Sequence, residues 1–204
     1  MKPKSTAQDI EYIRHLMDRS VKFVSLSGLS GVLAGCYALV GAAYAYYQLY
    51  SGAVARSVEY HGRIPIVTDL LVAAALVLAA SLATGAWFSY RKAKSLGVSL
   101  WNSTSQRLLV NLAVPLVAGG IFTLVLVAQG NYQLVAAAVL LFYGLALMNA
   151  SFHLFDEIRY LAYLETALGV TAAFFPSQGL LFWSLGFGVL HIIYGVRMYN
   201  KYDR

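Results

Sequence analysis

Residues 66–88 read IVTDLLVAAALVLAASLATGAWF. Asp69 near the start is the only ionisable side chain in this run. The run reaches the ~20 mostly apolar residues that a helix needs to cross a membrane. Inside hydrocarbon every backbone N–H and C=O must find its partner within the protein, so a span is a helix or a strand of a closed barrel. The apolar positions here are continuous rather than alternating, which selects the helix. The same reading applies to Val24–Tyr47, Leu108–Val127, Gln133–Phe152, Leu161–Phe175 and Leu180–Val196. Leu161–Phe175 is short and carries Glu165, which makes it the least regular of the set.

Composition agrees with these runs. The 204 residues are 59% hydrophobic and 12% charged, against about 25% charged in a water-soluble domain. Half the usual solvating charge is missing. The single cysteine, Cys36, excludes an internal disulfide framework and a cysteine-cluster metal site. The expected fold is all-α: a polytopic bundle of six transmembrane helices, residues 23–204, preceded by a cytoplasmic amphipathic helix over residues 1–22.

The basic residues set the expected orientation. With the amino end inside, all of the 15 lysines and arginines except Arg56 and Arg63 fall on the cytoplasmic side. Both termini are then cytoplasmic. Dropping one span would scatter the charges across both faces. The net charge of +6 is therefore a topology signal, satisfied by anionic headgroups, and no nucleic-acid partner is expected. Tyrosines and tryptophans fall near the two expected boundaries: Tyr44, Tyr46, Tyr47 and Tyr50 outside, Trp87, Tyr90 and Trp101 inside. In the first segment Ser5 and Gln8 fit a capping box, and Ile10, Ile13 and Met17 recur at helical spacing. That segment reads as a helix lying on the cytoplasmic membrane face, as an extension of the first span, or as a handle for a protein partner.

Small residues mark close helix packing. Ser27, Gly31 and Gly35 form one ladder and Ser184 and Gly188 another, serving contacts within the chain or a seam between copies. Pro115 frees the carbonyl of Asn111 from its helical bond and predicts a kink.

Ionisable groups inside spans are functional candidates by default. The residues in question are Glu165 and His191, with Asn149 as a polar companion; Asp69, Asn111 and His153 are secondary. Glu165 follows Arg159 by the same interval as His191 precedes Arg197, about 9 Å at 1.5 Å per residue. The two spans are joined by a short turn, so the two side chains can share one depth, and Asn149 reaches nearly that level. Such a cluster serves as a proton relay or gate, or as a neutral contact fixing helix register. Asp69 suits capping of its helix or anchoring at the interface.

No HExxH, GxSxG, P-loop or CxxC motif occurs. No enzymatic activity, cofactor or metal is expected.

The segment from Ala167-Leu168-Gly169 through Phe175-Pro176, Gly179-Leu180-Leu181-Phe182-Trp183 and Gly186-Phe187-Gly188 to Ile193-Tyr194-Gly195 resembles hairpins of the HdeD-like bacterial acid-resistance membrane proteins. Ser25–Gly31 and Asp156–Tyr160 resemble a family of small bacterial multi-pass membrane proteins with no assigned activity. These resemblances imply six spans in the bacterial inner membrane and carry over no catalytic or transport residue. The expected function is a non-enzymatic membrane protein of stress or signalling type with a cytoplasmic partner surface. The alternative is a small permease or channel for protons, ions or small solutes using the Glu165, His191 and Asn149 cluster. Membrane lipids, a second copy of the chain and a cytoplasmic protein are the expected partners.

Overall fold

The structure, a computed structural model, describes residues 27–51, 64–97, 99, 101, 103–151 and 154–204, with only the backbone of residues 64 and 65. The amphipathic segment 1–22, the connection bearing Arg56 and Arg63, and His153 lie outside the described residues. The long helices are α1 (Gly28–Tyr50), α2 (Ile64–Leu96), α3 (Ser103–Ala128), α4 (Val135–Ala150), α5 (Asp156–Phe174) and α6 (Pro176–Asp203). No strand occurs among the described residues.

Five stretches are long and apolar enough to cross a membrane: α1, Ile66–Leu96 of α2, α3, Tyr132–Ala150 including the turn into α4, and α6. The expected six spans are thus matched by five. α5 forms as a helix of 19 residues, but Asp156, Glu157, Arg159 and Glu165 lower its hydropathy. α2 reaches 33 residues, well past the expected Phe88. At about 50 Å it is longer than the ~30 Å hydrocarbon core of a bilayer, and its last turn carries the basic Lys94.

The helix ends follow from local chemistry. α3 ends at Ala128, two residues before Gly130, whose φ of 75° favours glycine. There Gly130 N donates to Val127 O and Asn131 N to Leu126 O, the paired bonds of a Schellman ending. Pro176 opens α6, where its missing N–H costs nothing. α6 is composite: after a 3-10 turn and a short α segment it widens into a π turn over Ser184–Leu190, returns to α over His191–Met198, and widens again over Tyr199–Asp203.

Glycines set the seams. A Cβ on Gly31 would lie 3.3 Å from Gly195 Cα, and one on Gly35 2.7 Å from Gly188 O, so α1 and α6 meet backbone to backbone. Gly169 does the same for α5 against the backbone of Leu141 in α4. Gly119 takes the ring of Phe142 and joins α3 to α4. α2 leans on α1, and α3 on α4; these two neighbours in sequence share no comparable seam and flank the bundle.

One end of the bundle gathers the start of α5 and the ends of α4 and α6. Leu147, Ala150, Leu154, Phe155, Ile158, Leu161, Ala162 and Met198 form a buried cluster there, with Leu108 and Leu112 of α3 against it. The starts of α1 and α5 and the ends of α2 and α6 are tied by hydrogen bonds and ion pairs at this same end. Asp203 accepts from Ser27 Oγ at 3.0 Å and from Gly28 N at 2.8 Å, and pairs with Lys92 Nζ at 2.5 Å. Ser27 itself supplies no side-chain cap to α1; Asp203 does so from the far end of α6. Glu157 is bound by Lys201 at 2.6 Å and by the Tyr202 hydroxyl at 2.9 Å. Burial pushes the Glu157 carboxyl up, and the bonds from Lys201, the backbone and Tyr202 outweigh it, holding it below the usual carboxylate range.

Candidate functional site

Glu165 sits midway along α5 and is completely buried. His191 opens the second α segment of α6, immediately after the π turn. Their closest approach is 3.4 Å, from His191 Nδ1 to Glu165 Oε1. Three helices build the surroundings. α4 contributes Leu140 and Tyr143, α5 the carboxylate, and α6 Gly186, Phe187 and His191.

The imidazole is held at both nitrogens. Nδ1 lies 3.0 Å from Gly186 O, and Nε2 lies 2.8 Å from the Tyr143 hydroxyl. A carbonyl can only accept, so Nδ1 carries the proton. In the neutral ring Nε2 then accepts from the Tyr143 O–H. The Phe187 ring stacks on the imidazole at 5.8 Å and tilts against Tyr143 at 4.9 Å. Trp183 tilts against Phe187 at 5.3 Å.

Glu165 contrasts with this satisfied ring. Both its oxygens are buried and neither has a hydrogen-bond partner among the described residues. Oε2 lies where a Cβ on Gly186 would fall, 2.5 Å away, so only glycine at 186 leaves room for the carboxyl group. The π turn explains the arrangement. Its extra residue widens the backbone between Ser184 and Leu190, which lets a glycine face the carboxyl group while His191 reaches back to its carbonyl. Among the described residues no lysine or arginine forms an ion pair with Glu165; His191 is its only ion-pair neighbour.

Asn149 does not join this cluster. Its side-chain amide donates to Asn111 O at 2.7 Å. That is the carbonyl released by Pro115 in α3, so the amide replaces the bond the proline removes. Asn111 thus takes part through its backbone. Asp69 is exposed and lies beyond the first turn of α2, which contains no acidic residue. Of the small-residue positions, Gly31, Gly35 and Gly188 lie in the α1–α6 seam. Ser27 bonds Asp203, and Ser184 returns its hydroxyl to Leu180 O at 2.7 Å.

Tyr143 is the member that sequence reading passes over. Its signal is its position: a tyrosine in the middle of a long apolar run, whose hydroxyl needs a partner. Gly186 is legible only once its neighbour across the seam is known.

A comparison with protein-family models, curated proteins and solved structures gives no match for this chain.

Proposed function

We propose that this protein is a non-enzymatic integral membrane protein of stress or signalling type, with the Glu165–His191–Tyr143 cluster as its proton-responsive element. The observation that carries this reading is a fully buried carboxyl group with no hydrogen bond, 3.4 Å from an imidazole. A proton moved into or out of such a pair changes charge in a site with little polarity to absorb it, so it strains the contact between α5 and α6. In this reading α5 is the sixth span. Its first-turn charges lie at one end of the bundle, and Glu165 is shielded by α4 and α6 rather than turned toward lipid. The bacterial inner membrane is the expected location, with both termini of the chain cytoplasmic and the basic ends of α2 and α6 offered to a cytoplasmic partner.

Glu165 and His191 are buried, and Asn149 serves another carbonyl. Both facts support a sensing contact over a permeation path. The test uses the full chain in liposomes, with Trp87 and Trp101 replaced by Phe so that Trp183 reports alone. Its emission is followed from about pH 5 to about pH 8, the range in which histidine ordinarily changes charge. A pH-dependent transition that disappears in Glu165→Gln, with no proton flux in either protein, is the expected result. Flux that depends on Glu165 would establish the permease reading instead. A flat emission profile in the parent protein would remove the proton-responsive one.

A further inference from the structure

The glycine seam between α1 and α6 has a definite end. It runs from Gly28 to Gly188, where the Leu39 side chain covers the glycine. Past that point the remaining glycines turn elsewhere: Gly41 faces Val77 of α2, and Gly179 faces Ala136 of α4. With nothing to bring the two backbones together, α1 and α6 part and leave a crevice of about 500 Å3. This lies within the range of about 300–1,000 Å3 typical of small-molecule sites.

The crevice is polar at one end only. Leu39, Ala42, Leu180 and Leu181 make apolar walls. Tyr46, Tyr50, Ser177 and Gln178 stand where α1 ends and α6 begins. No lining residue among those described is charged at neutral pH. The Tyr46 and Tyr50 rings pack together at 4.8 Å, and both line the crevice together with Gln178. At the floor the Ser184 hydroxyl is already used by Leu180 O, so the deep end offers hydrocarbon.

We propose that this crevice binds an amphiphile with one apolar tail and an uncharged, hydroxyl- or carbonyl-bearing head. The tail fits between α1 and α6, and the head meets the phenols and the amide. A phosphate or carboxylate head would bring a charge to a mouth whose described residues supply no cation to pair it. The floor residue Ser184 begins the π turn that ends beside His191, so an occupant rests on the same backbone segment that shapes the buried cluster. The proposal stands whether or not that cluster responds to protons.

The probe is a monoacylglycerol brominated along its chain, titrated into the full-length protein in nanodiscs. Trp183 again serves as the only tryptophan, since it immediately precedes the lining residue Ser184. Saturable quenching is expected. Ala43→Phe, at an exposed lining position, should raise the half-saturating concentration about tenfold, equal to ~1.4 kcal/mol, with an unchanged helical circular dichroism spectrum. Gln178→Leu should shift it in the same direction. Brominated fatty acid and brominated phosphatidylglycerol should quench only in proportion to their amount. Non-saturating quenching by the monoacylglycerol, or identical curves for the parent and Ala43→Phe, would mean bulk lipid alone and overturn the site. Saturation by the anionic lipids at equal or lower concentration would overturn the uncharged head.

Discussion

Glu165 and His191 are neighbours with opposite bonding states, and substitution should separate them. Glu165→Leu removes a buried carboxyl group that gives up no hydrogen bond, so thermal unfolding in detergent should show stability unchanged or raised. His191→Leu takes the acceptor from the Tyr143 hydroxyl and should cost about 1–3 kcal/mol. Adding Tyr143→Phe should return part of that loss, because the donor goes with its acceptor. A second pair belongs to the same scale. Asn149→Leu strips the partner from Asn111 O and should destabilise by about 1 kcal/mol; in a Pro115→Ala background the backbone N–H at 115 takes over and the cost should vanish. Equal costs in both backgrounds would mean that the amide does not compensate for the proline. Depth arithmetic made Glu165 and His191 legible, since a short turn fixes the register of α5 and α6. The same arithmetic carried Asn149 into their company, because depth says nothing of rotation about the helix axis. Tyr143 stayed hidden for the complementary reason: an aromatic residue within a span reads as packing until its hydroxyl is given a partner.

Among the elements, α6 departs most from a regular helix. Its two wide turns bracket His191–Met198, and the first depends on Gly186 leaving space for a carboxyl group. Gly186→Ala should destabilise by about 1–3 kcal/mol through overpacking, and Gly186→Ala with Glu165→Ala should recover part of it, since Leu140 Cδ2 stands as close to the added methyl as the carboxyl group does. Gly120 in α3 meets nothing within 4 Å, so Gly120→Ala should be neutral or slightly stabilising and serves as a control. The start of α5 gives a pH prediction. The folded Glu157 carboxyl lies below the usual carboxylate range, so its bonds to Lys201 and Tyr202 contribute fully above the unfolded value of about 4.3. That contribution fades as pH falls through the lower folded value. Melting temperatures of the parent and Glu157→Gln should therefore differ at neutral pH and converge in acid. Helix existence was legible because apolar runs of this length have few alternatives. Helix ends were less so: the charged ends of α2 and α6 continue as helix, held by contacts with other helices rather than by their own hydropathy.

At the scale of the whole molecule, alternating helices bring α1, α3 and α5 to start where α2, α4 and α6 end. Composition and the long apolar runs made an all-helical membrane architecture readable before any coordinates. What they could not convey is which helices touch, since that depends on single glycines meeting a particular backbone. The count of spans turns on α5, whose charges make it ambiguous by hydropathy although its packing against α4 and α6 is extensive. Cysteines placed at residues 2 and 204 of a Cys36→Ser protein should react with an impermeant maleimide from the same face of the vesicle. Reaction from opposite faces would show that an odd number of helices crosses.

Asp203 closes the first turn of α1 from 175 residues further along the chain. A ribosome releases the two partners far apart in time. Until Asp203 is made, Gly28 lacks this acceptor, and only then can one carboxylate join the start of α1 to Lys92. A chain cut before Asp203 therefore forfeits both the bond to Gly28 and the tie to Lys92, and the start of α1 should then exchange its amide protons faster.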